Sequence, residues 1–134
     1  MNTFATTLAV RVGDINYGGH LGHDRLITLL HQARCDFLCA LGFSELDCGG
    51  AALIMRHLEV DYLAEAFLGD ELTFNVWVGA LKGTRFTLHY RVSKGEKTVA
   101  TAGTLMVCFD YQERKVCAVP DATVAKLKEQ QHGG

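Results

Sequence analysis

Two periods of apolar residues divide the chain. Residues 4–12 are apolar and β-branched enough to predict a strand ending at Gly13. A glycine-dense turn, Asp14-Ile15-Asn16-Tyr17-Gly18-Gly19-His20-Leu21-Gly22, follows. From His23 to about Leu41 the period changes to three and four. Leu26, Leu30, Ala33, Phe37 and Leu41 form a stripe that Ile27, Leu29 and Leu38 broaden. The spacing predicts a long helix, apolar around most of its circumference, with Gly42 where a C-terminal stop belongs.

Beyond Cys48-Gly49-Gly50 the period is two. Ile54, Arg56, Leu58, Val60 and Tyr62 alternate with Met55, His57, Glu59 and Asp61, which places Arg56 on an otherwise apolar face. Gly69-Asp70 makes a turn before Leu72, Phe74, Val76 and Val78 alternate with Thr73, Asn75 and Trp77. A hairpin turn at Lys82-Gly83 leads to the run Phe86, Leu88, Tyr90 and Val92. Ser93–Glu96 form a second hairpin loop before a long strand of about residues 98–111. A short strand near 116–119 and a helix of about 121–130 complete the order, and the Gly133-Gly134 tail is expected to fray.

Strand, glycine turn, long helix, then antiparallel strands specify an α+β fold in which one sheet of about five strands curls around one helix. The 134 residues make one domain, with its core over about residues 4–119. Such a wrap leaves a sheet edge and a helix flank open, and a homodimer or dimer-of-dimers tetramer covers them.

Composition narrows the function. Apolar residues are 49% and charged residues 21%, which excludes a disordered chain. Net charge −2 excludes the basic field that nucleic acid or an anionic membrane would need. No run reaches the ~18 apolar residues of a membrane span, and the start has no signal-peptide pattern. Five cysteines without C-x-x-C pairs point to reduced thiols and a cytoplasmic location. No pair has zinc-ligand spacing, so no metal is expected, and Cys35 and Cys39 are assigned to the core.

Only the turn resists explanation by folding. Gly13, Gly18, Gly19 and Gly22 fall within ten residues, interleaved with Asp14, Asn16 and His20. A helix N-terminus follows, so amides could stabilise a carbonyl oxygen as it becomes negative. A plain turn, with Asp14 capping nearby amides and His20 bonded locally, explains the same residues equally well.

Residues 11–24, R-V-G-D-I-N-Y-G-G-H-L-G-H-D, resemble the signature loop D-x-D-x-x-G-H-V-N of hotdog-fold acyl-CoA thioesterases of the 4-hydroxybenzoyl-CoA thioesterase type. Gln32-Ala33-Arg34 stands where that family has a Glu-Ala-Arg-like run. Residues 60–72 resemble its Y-L-x-P-A-x-x-G-D-x-L stretch, and Gly83-Thr84-Arg85-Phe86 gives a weaker third match. The resemblance implies a hotdog fold and hydrolysis of a small or medium, possibly aromatic, acyl-CoA thioester. Coenzyme A would enter only as part of the substrate, with no separate cofactor.

The departures bear on mechanism. Asn16 and Gln32 stand at the family's usual carboxylate positions, and an amide can neither take a proton nor form an acyl anhydride. The resemblance therefore leaves Asn16, His20 and Asp14 as catalytic candidates. Asn16 would orient water, amides near Gly19 and His20 would hold the thioester oxygen, and the base would be Asp14, His20, His23 or Glu65 from a partner subunit. Tyr17, Gly18, Gly19, Leu21, His23 and Arg56 are the substrate-binding candidates, Arg56 by reaching coenzyme A phosphate or pairing at a dimer seam. A non-catalytic acyl-CoA binder, and a hotdog enoyl-CoA hydratase using Asp14, Asn16 and His20, are the alternatives.

Overall fold

Burial with period two is clearest in β3 (Glu71–Lys82) and β4 (Arg85–Lys94). Leu72, Phe74, Val76 and Val78 are buried from the first, and Phe86, Leu88, Tyr90 and Val92 from the second. The computed structural model describes residues 3–131, so the Gly133-Gly134 tail lies outside the described residues. The remaining elements are β1 (Phe4–Ala9), α1 (His23–Ala40), β2 (Ala52–Tyr62), β5 (Lys97–Asp110), β6 (Lys115–Val116) and α2 (Asp121–Lys128). Among the described residues the strands form one antiparallel sheet ordered β1-β3-β4-β5-β2, with two-residue β6 added on β5.

The sheet packs its buried face on α1, whose Leu26, Leu30, Ala33, Phe37 and Leu38 enter the same cluster as Phe74, Leu88 and Tyr90. Gly42 ends the helix in a left-handed conformation, φ 85°, that a residue with a Cβ adopts only at a cost. No helix among the described residues is long and apolar enough to cross a membrane.

Four expectations need correction. The first strand stops at Ala9, because Val12–Asp14 turn into a single 3-10 turn. Helix α1 buries one face rather than most of its circumference: His23, Asp24, Arg25, Thr28, His31 and Gln32 stay exposed. Cys39 is exposed and Cys35 half-buried, whereas Cys48 and Cys108 are the buried thiols. Burial pushes Cys48 up to about 12 and Cys108 to about 11, so both stay protonated. Finally, a bulge between Met55 and His57 leaves Arg56 out of the ladder with β5, exposed with both neighbours rather than on an apolar face.

One polar chain crosses the core. Arg34 is buried, donates from Nε to Glu45 Oε2 at 3.0 Å and from Nη1 to the Tyr90 hydroxyl at 3.4 Å. Tyr90 also bonds the Thr104 hydroxyl at 2.9 Å. Burial raises the Tyr90 pKa, although Arg34 pulls the other way, so the hydroxyl keeps its proton and can donate it to Thr104. Burial alone would lower the Arg34 pKa, but Tyr90 and Glu45 outweigh it and raise it. Tyr90→Phe removes the shared hydroxyl and leaves a guanidinium N–H and Thr104 unsatisfied. Urea unfolding should show a loss of about 1–3 kcal/mol at unchanged m.

Candidate active site

The turn before α1 is a small hairpin. Ile15 bridges Leu21, with Asn16 N–H bonded to His20 C=O at 2.8 Å and Gly22 N–H to Asp14 C=O at 2.9 Å. At its tip the Asn16 side chain accepts the Gly18 N–H on Oδ1 at 3.1 Å, and the Asn16 carbonyl accepts Gly19 N–H at 3.0 Å. Gly19 sits at φ 76° to close this turn. Because Oδ1 is occupied, the Asn16 NH2 group is the part left to meet a ligand.

The hairpin's second arm is clamped to the β2–β3 connection. Leu21 N–H donates to Ala66 C=O at 2.7 Å, and His20 bridges Phe67. That connection is itself fixed: Asp70 accepts Phe67 N–H at 2.9 Å and pairs with Lys94 at 3.0 Å. The Phe67 bond and then Lys94 hold the Asp70 carboxyl below its ordinary pKa.

The clamp closes a cleft of about 390 Å³ lined by Asn16, His20, Leu21, His23, Tyr62 and Glu65, with Leu26 and Val99 among its apolar walls. His20 Nδ1 lies 3.1 Å from Glu65 Oε1. This is an electrostatic contact out of line for a hydrogen bond, since the buried Nδ1 has no hydrogen-bond partner among the described residues. The imidazole rests against Phe67, ring centres 4.9 Å apart, and over Gly18, where an added Cβ would come within 2.8 Å of Cδ2. At the far wall the Tyr62 hydroxyl donates to His23 C=O at 2.7 Å. Burial, then Asp24, raises the Tyr62 pKa, which keeps it a donor.

Of the sequence-expected residues, the cleft therefore gathers Asn16, His20, Leu21 and His23, with Gly18 beneath the imidazole. Asp14 is elsewhere: its Oδ2 accepts Arg11 N–H at 2.9 Å, and it lines a different groove with Thr28 and Gln32. The 3-10 turn at 12–14 causes this, swinging Asp14 away from Asn16. Tyr17 is fully exposed at the hairpin tip and touches no wall of the cleft. The Gly19 amide, expected to face the substrate, is used inside the turn. Arg56 sits six residues before Tyr62 along β2, about 20 Å away at strand spacing. Glu65, expected only from a partner subunit, comes from the same chain. Its signal was present in the sequence, where it replaces the proline of the Y-L-x-P-A pattern.

Away from the cleft, His31, Cys35 and Glu45 are the one cluster of three potential metal ligands among the described residues.

Residues 10–127 match the family model of the thioesterase-like superfamily. The chain is 32% identical over 117 residues to 1,4-dihydroxy-2-naphthoyl-CoA hydrolase of Synechococcus elongatus, covering 84% of this chain and 85% of that protein. It is 31% identical over 134 residues to the acyl-CoA thioester hydrolase YbgC of Escherichia coli O6:H1, covering 96% and 100%. The crystal structure of Slr0204, a 1,4-dihydroxy-2-naphthoyl-CoA thioesterase from Synechocystis, superposes with a TM-score of 0.85 at 26% identity, over 96% of this chain and 97% of that one.

The geometry separates a capping carboxylate from a cleft residue. Asp14→Ala should cost about 1 kcal/mol in denaturant unfolding and leave the NMR signals of the His20 ring in place. Gly18→Ala should do the reverse, displacing those signals because its Cβ meets the imidazole.

Proposed function

The chain belongs to the thioesterase-like superfamily, and from that premise we propose that the Asn16–His20–Glu65 cleft hydrolyses an aromatic acyl-CoA thioester. Its relatives are acyl-CoA thioester hydrolases, and this chain is an enzyme of the same kind. The observation that carries the site assignment is the proximity of His20 Nδ1 and Glu65 Oε1, 3.1 Å apart beside the free Asn16 amide. Apolar Leu21, Leu26 and Val99 suit the acyl group, and the cleft's size favours a ring system over a long chain.

In the proposed reaction His20 accepts a proton from water as the water oxygen bonds to the thioester carbon. Glu65 faces the resulting imidazolium and offsets its charge. The Asn16 NH2 group, with α1 N-terminal amides behind it, donates to the carbonyl oxygen as it becomes negative. When the C–S bond breaks, the imidazolium returns its proton to the coenzyme A sulfur, and the carboxylic acid gives its remaining proton to solvent and leaves as a carboxylate. Asn16 thus works as a donor, a role an amide can fill and a carboxylate cannot.

The exposed strand edge supports a homodimer. Among the described residues β2 pairs only with β5, leaving one side of Ala52–Tyr62 unpaired there, and Met55, Tyr62, Leu63 and Phe67 are exposed along or beyond it. A second copy would pair this edge. Five free thiols fit a cytoplasmic site of action.

Thiol release should be measured on benzoyl-, hydroxybenzoyl- and naphthoyl-CoA against short and medium aliphatic acyl-CoAs, with turnover highest on the aromatic ones. Absence of turnover on all of them would favour a binding role. His20→Ala should lower kcat by about 10²–10⁴ and regain rate with added imidazole. Asn16→Ala should lower it by about 10²–10³ with little change in KM. Glu65→Gln should lower kcat at constant KM, with Glu65→Asp recovering part of the loss. Full activity in all three variants would refute the assignment. Sedimentation equilibrium should give two or four times 14.7 kDa.

A further inference from the structure

Helix α1 carries a second cluster of reactive side chains, two turns beyond the cleft. His31 and Cys35 are one turn apart, so both project from the same face. Both converge on one atom, Glu45 Oε1: His31 Nε2 at 2.6 Å and Cys35 Sγ at 3.5 Å. The other carboxylate oxygen is taken by the buried Arg34, itself tied to Tyr90. Glu45 is also anchored through its backbone, since its carbonyl accepts Leu53 N–H at 2.7 Å. The direction of Oε1 is therefore fixed by groups other than His31 and Cys35. That is how residues outside the coordination sphere orient a metal-bound carboxylate.

From this convergence we propose that His31, Cys35 and Glu45 bind a divalent cation of the zinc type, joining α1 to the segment that leads into β2. The donor set is a nitrogen, a sulfur and an oxygen, and the three ligand atoms lie within 4.8 Å of one another. Bonds of about 2.0–2.3 Å at tetrahedral angles need ligand atoms about 3.3–3.7 Å apart. The Cys35–Glu45 separation already meets this, and the exposed His31 meets it toward Glu45 on retreating by about 0.7 Å. On binding, the Cys35 thiol gives its proton to solvent and the sulfur bonds to the metal. The thiolate and the Glu45 carboxylate, whose other oxygen Arg34 holds, then face the ion's two charges. His31 and Cys35 also line an open groove of about 520 Å³ beside Leu8 and Thr28, so a water can take the fourth position.

The experiment is a Co2+ titration of the full-length reduced protein, read by the near-ultraviolet thiolate-to-cobalt absorption band. One equivalent per chain should produce the band, and Zn2+ should displace it. Cys35→Ser should abolish the band, and His31→Gln should weaken Co2+ binding on the order of tenfold or more. Both residues are partly exposed, so both variants are expected to fold. Zn2+ should raise the Tm of the unmodified protein and leave that of Cys35→Ser unchanged. No band, or an undiminished band in Cys35→Ser, overturns the proposal. None of these readouts depends on thioester turnover.

Discussion

The hydrogen bond from Leu21 N–H to Ala66 C=O, 2.7 Å long, is the contact on which the cleft depends. It ties the hairpin that starts α1 to the connection between β2 and β3, two segments more than forty residues apart in sequence. Nearby, Val10 N–H bonds Asp70 C=O and Gly69 N–H bonds Val10 C=O, both at 2.9 Å. Together these bonds hold the irregular backbone of both segments in a two-stranded clamp where regular structure is absent. His20 and Glu65 flank the bonded pair, so their approach is a consequence of backbone pairing. A site built this way keeps its geometry even though both segments are loops.

How much of this could be read from the chain differs by element. Strands β3 and β4 were legible because each has one buried and one open face, and the alternation runs without interruption from Leu72 to Val78 and from Phe86 to Val92. Along β2 the letters alternate just as well, yet the bulge at Arg56 breaks the parity and leaves Met55, Arg56 and His57 all exposed. A one-dimensional pattern carries no mark for an unpaired residue. Helix α1 was placed correctly from His23, but its circumference was overread. Ile27 and Leu29 flank the stripe and are only half-buried, while Arg34 takes a core position by joining Glu45 and Tyr90.

The site was legible as a segment and not as a constellation. Composition singled out residues 14–24, and the cleft does form there. Asp14 and Asn16 stood together in the sequence because they are two positions apart. The intervening change from a 3-10 turn to a hairpin sends them to different grooves. Residues 63–70 have no periodicity, so the chain alone does not fix whether Glu65 faces its own cleft or a partner's. The pairing of His20 with Phe67, beside the Leu21–Ala66 bond, brings that stretch home within one chain.

Two of the places where this chain leaves the family's pattern line one cleft. At 16 a carboxylate position holds an amide, and at 65 a proline position holds a carboxylate. Two anions so close would repel each other, and one of them would be driven toward its protonated form. An amide at 16 avoids that conflict and, in the proposed reaction, adds N–H donors where a carbonyl oxygen gains charge. A carboxylate at 65 then has an imidazole rather than another anion as its neighbour. On the proposed assignment the negative charge has moved across the cleft, and the residue beside it has changed from attacking group to donor. On that assignment these two departures form a single exchange, since carboxylates at both positions would be the costly arrangement.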